Sequence, residues 1–292
     1  MDRRGFLQTG AALAAASLVP AEAKSAPSPA AQKFKLSLAA YSLRQSLDLK
    51  KPTMILEEFI EKSAEWGCEG VELTEYFFKK PLTPEYLMKI KRAAIKAGLP
   101  ISGTPIGNNF TLPPGEARDK QIASVKAWID VSADLGSPAI RIFAGSTPKG
   151  VEESQARKWA IECIETTLDH AAKRGVYLAV ENHGGVVATA AGVLEIVKAI
   201  KSDWFGVNLD TGNFHSADCY AELEECAPYA VTCQVKAEMS QAGKRSETDY
   251  GRIVSMMTKA KYRGFLTLEY ESAEDPMTAV PKHLEALRKA MA

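Results

Sequence analysis

Three carboxylates stand where three apolar runs stop. VYLAVENHGG puts Glu181 at such a point, FGVNLDTGN puts Asp210, and GFLTLEYE puts Glu269. A carboxylate at the end of a buried strand is costly unless something pairs with it. Three of them at strand spacing suggest convergence on one cation. Each alone is more often a surface residue or a helix partner, and LDTGN could cap the next helix. The recurrence argues for a shared site. The run AVTCQVKAE adds Gln234, and Lys236, two residues on, faces the same way in an extended strand. Three carboxylates and an amide oxygen are hard donors. They suit one divalent ion, Mn2+ or Mg2+, with Zn2+ also able to bind.

The elements that must position these groups recur along the chain. Strand-like runs span residues 34–43, 70–76, 99–107, 139–145, 176–182, 205–213, 230–238 and 265–271. They follow one another at roughly 25–40 residues, the length of a strand plus a crossover helix. Val, Ile and Leu fill them, as in strands buried on both faces. The stretches between are amphipathic: MILEEFIEKSAEWG and ARKWAIECIETTLDHAAKRG carry apolar residues at helical spacing and stop at Gly67 and Gly175. Eight such units without a linker predict an α/β fold, a single (β/α)8 TIM barrel over residues 34–292. A doubly wound open sheet is the runner-up, but no GxGxxG or Walker pattern supports it. Residues 107–120 and 237–251 read as loops at the C-terminal ends of the third and seventh strands, the face where barrels keep their active sites.

The bulk composition is that of a globular enzyme-sized chain. Of 292 residues, 46% are hydrophobic; Lys+Arg and Asp+Glu both number 36, leaving no basic excess to hold nucleic acid. The five cysteines form no CxxC pair, so five free thiols are expected. The N-terminus differs from the rest: Arg3-Arg4, a short apolar run and Ala21-Glu22-Ala23 follow in order. That order reads as a twin-arginine signal peptide over residues 1–23, followed by a linker over 24–33 and implying export to the periplasm. The apolar run is too short to remain as a membrane span.

ENHGG, LDTGN, the VKxE element of the seventh run and the final LE resemble the xylose isomerase-like TIM-barrel superfamily, in its sugar isomerase/epimerase branch. The resemblance covers roughly residues 34–290. It implies one divalent metal held by Glu, Asp, His and Glu from strands five to eight. Glu181, Asp210 and Glu269 match three of these, and Gln234 stands where His is usual. That departure weakens a preference for Zn2+ or Co2+. The resemblance also implies that Glu181 and Glu269 move protons beside a carbonyl while an enediolate is stabilised. His183 and His215 are then expected to bind substrate hydroxyls, with Lys236, Glu72 and Arg141 as further cavity residues. An inward Arg141 needs an anionic partner, Glu72 or Glu181. Lys236 could instead be tied up in an ion pair with Glu238 or Asp210. Tyr41, Glu238 and Glu271 are weaker candidates. Phe77, Phe78, Phe110 and Phe143 could floor a sugar but fit core packing better. His170 and His283 read as structural.

The expected activity is isomerisation or epimerisation of an unphosphorylated sugar, keto-sugar or cyclitol. Elimination from a 3-keto-glycoside, or dehydration, uses the same base and metal. A non-catalytic periplasmic carbohydrate-binding protein is the third possibility, with Gln234 as its symptom. The expected partner is a small carbohydrate, and the branch also includes homo-oligomers. The DNA-repair endonuclease branch needs a histidine cluster and a basic groove, and this chain has only four histidines. Replacing Arg3 and Arg4 with Lys is expected to hold the precursor in the cytoplasm, read by cell fractionation. Undiminished export of that variant would refute the signal assignment.

Overall fold

Alternation along each strand decides which side chains face the interior. In the computed structural model, which describes residues 34–292, Leu36 and Leu38 of β1 (Lys35–Ala39) are buried. Between them Ser37 reaches Ser102 of β3 (Ile101–Gly103), with their hydroxyl oxygens 2.8 Å apart. β1 and β3 are not neighbours, because β2 (Gly70–Glu72) lies between them. The contact therefore crosses the inside of a curved sheet.

The sheet continues through β4 (Ala139–Ile142), β5 (Tyr177–Glu181), β6 (Phe205–Asp210), β7 (Ala230–Lys236) and β10 (Phe265–Glu269). All its pairings are parallel, in the order β3-β2-β1-β10-β7-β6-β5-β4. The two end strands meet just beyond their regular parts. The N–H of Thr104 donates to the Ala139 carbonyl (3.1 Å) and that of Ile106 to the Arg141 carbonyl (3.0 Å). These bonds bring the ring to near closure, so the molecule is a (β/α)8 barrel.

Eight α-helices follow the eight barrel strands among the described residues. They are α1 (Leu56–Glu65), α2 (Pro84–Lys96), α3 (Glu116–Leu135), α4 (Glu153–Arg174), α5 (Ala190–Ala199), α6 (Cys219–Cys226), α7 (Tyr250–Lys259) and α8 (Pro276–Met291). Their apolar stripes cover the outward faces of the strands. Leu268, Val235, Leu209 and Val180 are fully buried there. Each such side chain contributes about 1.5–3 kcal/mol relative to exposure. The helices stop as expected, with Gly67 and Gly175 in left-handed conformation at φ +73° and +69°. All five cysteines are buried and unpaired. No helix among the described residues is long and apolar enough to cross a membrane.

The structure departs from the sequence-based expectation in three places. Residues 107–120 are not all loop, since α3 begins at Glu116; the prolines end at Pro114 and leave EARDK free to be helical. Residues 237–251 are not a bare loop either. They form an antiparallel hairpin, β8 (Glu238–Gln241) with β9 (Lys244–Glu247), turned by Ala242 and Gly243 at positive φ. Met239 is the one apolar residue of its two strands, too little to mark a strand in the sequence. Lastly, the barrel strands are uniformly apolar only on their helix-facing side. The inner face mixes polar side chains such as Glu72, Ser102, Thr232 and Thr267 with Ala139, Ala230 and Phe265.

Two loops at the C-terminal mouth lock together through backbone. Gly185, at φ +55°, donates no side chain because a Cβ there would lie 2.2 Å from the Gly145 carbonyl oxygen. The N–H of Val186 donates to that same carbonyl. Gly175 also has positive φ but open space around it. Gly185→Ala is therefore expected to destabilise by about 3 kcal/mol, combining strain and overlap. Gly175→Ala should cost about 1 kcal/mol from backbone strain alone. Urea unfolding of both variants checks the order, and equal losses would contradict the backbone lock.

Candidate active site

The last residue of a barrel strand is the one delivered to the mouth. Glu181 ends β5, Asp210 ends β6, Lys236 ends β7 and Glu269 ends β10. Register sets Lys236 directly beside Glu269. All four are buried. The ammonium of Lys236 lies 2.8 Å from Glu269 Oε2, 2.7 Å from Glu271 Oε2 and 3.3 Å from Asp210 Oδ2. The approach to Asp210 is an ion pair rather than an aligned hydrogen bond, and Oδ2 has no hydrogen-bond partner. Asp210 Oδ1 accepts from the Gly212 N–H at 2.8 Å, a turn within LDTGN rather than a helix cap.

Glu181 has its own set of partners. Arg141 Nε stands 2.8 Å from Oε2, and the same guanidinium donates through Nη1 to the Ile106 carbonyl at 2.8 Å. His183 Nδ1 lies 2.6 Å from Oε1, which also accepts from the Asn213 amide at 2.8 Å. Phe143 floors this corner, with the Arg141 guanidinium 4.0 Å from its ring centre and the His183 ring at 4.7 Å. Phe77, Phe78 and Phe110 are buried in the core instead. Arg141 thus takes Glu181 as its partner, and Glu72 is left to another residue.

That residue is Gln234. Its Nε2 donates to Glu72 Oε1 at 2.7 Å across the barrel interior, and its Oε1 accepts from the Asn208 amide at 2.6 Å. Thr232 in turn donates to Asn208 Oδ1 at 2.7 Å. Gln234 lies two residues below the end of β7, in register with Asp210 on one side and Thr267 on the other. Its amide is therefore spent on a polar ladder inside the barrel, not presented at the mouth as a fourth metal ligand.

The electrostatics follow from burial and pairing. Burial pushes Asp210 up to about 8, with Lys236 opposing. Burial, then the charge of Glu269, push Glu72 up to about 8. For Glu181, burial works upward, but Arg141 and then His183 outweigh it and hold the carboxyl below its usual value. Burial works to lower Lys236, yet Asp210, Glu269 and Glu271 raise it well above its usual value. The hydrogen bond to Glu181 raises His183.

A cavity of ≈ 340 Å³ opens beside Lys236, lined among others by Asn213, His215, Glu238, Arg245 and Glu271. The β8–β9 hairpin forms its wall. That volume is at the small end of ligand sites, about 300–1,000 Å³. His215 thus lies on the cavity, as do Lys236 and the weaker candidates Glu238 and Glu271. Arg245 pairs with Glu238 at 2.8 Å. His170 and His283 are held elsewhere, on Asp130 and on Tyr250. Asn213 and Asn208 join the site without being expected from the strand-end pattern. Asn213 lies within LDTGN, and Asn208 shares the face of Asp210 by strand period.

The donor set does not form an open cage for a divalent ion. Gln234 is committed on both amide atoms, Glu181 is held by Arg141, and the space between Asp210 and Glu269 is approached by Lys236 Nζ. Among the described residues, no group of three or more His, Cys, Asp or Glu side chains is arranged to hold a metal.

A sequence model described as Xylose isomerase-like TIM barrel matches residues 60–290. The chain belongs to this family. No curated protein matches the sequence. Solved structures share the fold at low identity. The 3-keto-D-glucoside 4-epimerase of E. coli, in apo form, is 15% identical with a TM-score of 0.70, covering 88% of this chain and 100% of its own. D-Psicose 3-epimerase of Clostridium cellulolyticum H10, with D-tagatose, is 13% identical with a TM-score of 0.71, covering 88% and 99%. A Xylose isomerase-like TIM barrel protein of Mycobacterium smegmatis, in complex with magnesium, is 16% identical with a TM-score of 0.67, covering 90% and 99%.

Removing one member of a buried ion pair strands the other. Arg141→Met leaves Glu181 without its guanidinium and is expected to cost about 3–5 kcal/mol. The double variant Arg141→Met, Glu181→Gln should recover much of that loss. Urea unfolding measures both, and a double variant no more stable than the single one would show that the pair is not the cause.

Proposed function

We propose that this barrel is an isomerase or epimerase that moves a proton at a carbon beside a carbonyl, through an enediolate. The substrate proposed is an unphosphorylated sugar, keto-sugar or cyclitol. The observation that carries the reading is the placement of Glu181 and Glu269. Both are buried strand-end carboxylates, each held by a cation at one mouth. Glu269 gives Oε2 to Lys236, and among the described residues no hydrogen bond reaches its Oε1, which leaves that oxygen to take a proton. Glu181 shares Oε1 with His183, whose side chain is 55% exposed and can pass protons to and from water. Proton removal beside a carbonyl builds negative charge on the carbonyl oxygen. Lys236 touches Glu269 and borders the ≈ 340 Å³ cavity, whose lining includes neither Glu181 nor Glu269, and a fixed donor where that charge forms lowers the barrier.

Three further points support the substrate class. The epimerases sharing the fold carry names of free sugars or a keto-glucoside. The cavity is poorly matched to a phosphate, because Arg245 is paired with Glu238 and the carboxylates of Glu238 and Glu271 line it. The twin-arginine pattern at residues 1–23, which lies outside the described residues, would place the protein in the periplasm, where sugar phosphates are scarce.

Mg2+ or Mn2+, expected from the sequence, is supported by the magnesium complex of the M. smegmatis protein and by the unpartnered Oδ2 of Asp210. It is opposed by the commitments of Gln234 and Lys236. Elimination is the second reading. A base beside the ketone of a 3-keto-glycoside can expel the aglycone, and the keto-glucoside named for the E. coli structure makes such a substrate relevant.

Incubation in D2O with ketoses, keto-glycosides and cyclitol ketones, followed by NMR, is expected to show deuterium entering beside the carbonyl of at least one compound. Glu269→Gln should slow that exchange by about 10²–10⁴-fold. Exchange into none of the compounds would sink the proposal, and release of an aglycone would identify elimination.

A further inference from the structure

We propose that Lys236 is the resident cation of this site. Its ammonium takes the centre of the carboxylate cluster in place of a divalent ion, and it meets the oxyanion of the substrate. The first part stands by itself; the second rests on the proton-transfer reading above.

The register carries the inference. Four adjacent strands deliver their last residues to one mouth, and these are Glu181, Asp210, Lys236 and Glu269. The cation comes from the chain. Lys236 Nζ lies within 2.7–3.3 Å of three carboxylates that approach it from β6, from β10 and from just beyond β10. A divalent ion would need some of the same oxygens at about 2.0–2.2 Å, so the ion and Nζ exclude one another. Gln234, the next polar side chain down β7 on this face, is turned to Glu72 and Asn208.

The surroundings are shaped to hold this lysine. Its N–H donates to Thr211 Oγ1 at 2.9 Å, and its carbonyl accepts from Thr248 Oγ1 at 2.6 Å. A Cβ on Gly212 would lie 2.5 Å from Lys236 Cγ, so the glycine leaves the path its stem occupies. The side chain is 9% exposed and still borders the ≈ 340 Å³ cavity. A lysine merely neutralising a surface cluster would need none of this.

Manganese titration of the purified protein, read by the EPR signal of free Mn2+, tests the first part without any substrate. The wild type is expected to take up no stoichiometric Mn2+. Lys236→Met keeps the stem and removes the charge, and should gain one site per chain, tighter by at least about 100-fold because the like-charge repulsion is gone. Adding Asp210→Asn should abolish that site. One equivalent bound by the wild type at micromolar Mn2+ overturns the proposal, as does a folded Lys236→Met protein that binds none. Circular dichroism reports folding. If Lys236→Met does not fold, the wild-type titration decides, with Lys236→Arg expected to exclude Mn2+ likewise. For the second part, wild-type deuterium exchange should survive dialysis against a chelator, and exchange restored only by Mn2+ would overturn it. Absence of exchange with every ketone would sink the proton-transfer reading and the oxyanion role, while the titration would still decide the resident cation.

Discussion

A carboxylate withdrawn from water must meet a counter-charge, accept hydrogen bonds or take up a proton. Five carboxylates gather in the upper half of this barrel, and the rest of the site follows from how each is satisfied. Glu181 takes Arg141, His183 and Asn213. Glu269 and Glu271 take Lys236. Glu72 takes an amide hydrogen from Gln234 and is otherwise driven toward its neutral form. Asp210 shares Lys236 while burial favours its proton. Two cations thus hold four of the five acids, Glu72 resting on an amide instead, and removing either cation would leave buried charge uncompensated.

This satisfaction sets the character of the barrel interior. Small barrels usually fill their centre with branched apolar side chains. Here Thr232, Asn208, Gln234 and Glu72 form a hydrogen-bonded ladder across it, and Ser37 pairs with Ser102. The short polar side chains do not fill the N-terminal end, where a cavity of ≈ 440 Å³ reaches Ser102, Thr267 and Glu72. Apolar cohesion therefore comes from the layer between strands and helices, where Leu38, Val180, Leu209 and Leu268 are fully buried. Inside the barrel, geometry is held by hydrogen bonds, which tolerate less displacement than a greasy core. Gln234 belongs to that internal order.

The barrel was legible in the sequence because each strand is apolar on its outward face and each helix is amphipathic. Those signals are local and repeat eight times. Glu181, Asp210 and Glu269 were legible as a group because each follows an apolar run. The pairings between them were not. Whether Gln234 or Lys236 reaches the mouth depends on where β7 stops relative to β6 and β10, a register set by backbone bonds between strands distant in sequence. Period two places both residues on one face and cannot say which is level with Glu269. The β8–β9 hairpin is illegible in the sequence for a related reason. It stands away from the barrel sheet, and its residues KRSE are all exposed.

LDTGN shows how local chemistry and distant register meet. Asp210 offers its carboxylate to the ammonium of Lys236, and its own N–H is held by Asn182 Oδ1 at 2.9 Å. Thr211 accepts from the Lys236 backbone, and Gly212 clears the lysine stem. Asn213 then crosses to Glu181. Four consecutive residues thereby tie strands five, six and seven into one mouth. Any larger residue at Gly212 would press on Lys236 rather than on solvent, so the motif and the lysine form one unit. A sequence carrying LDTGN without a long side chain at the end of β7 would leave that clearance empty and Asp210 without a counter-charge from the chain.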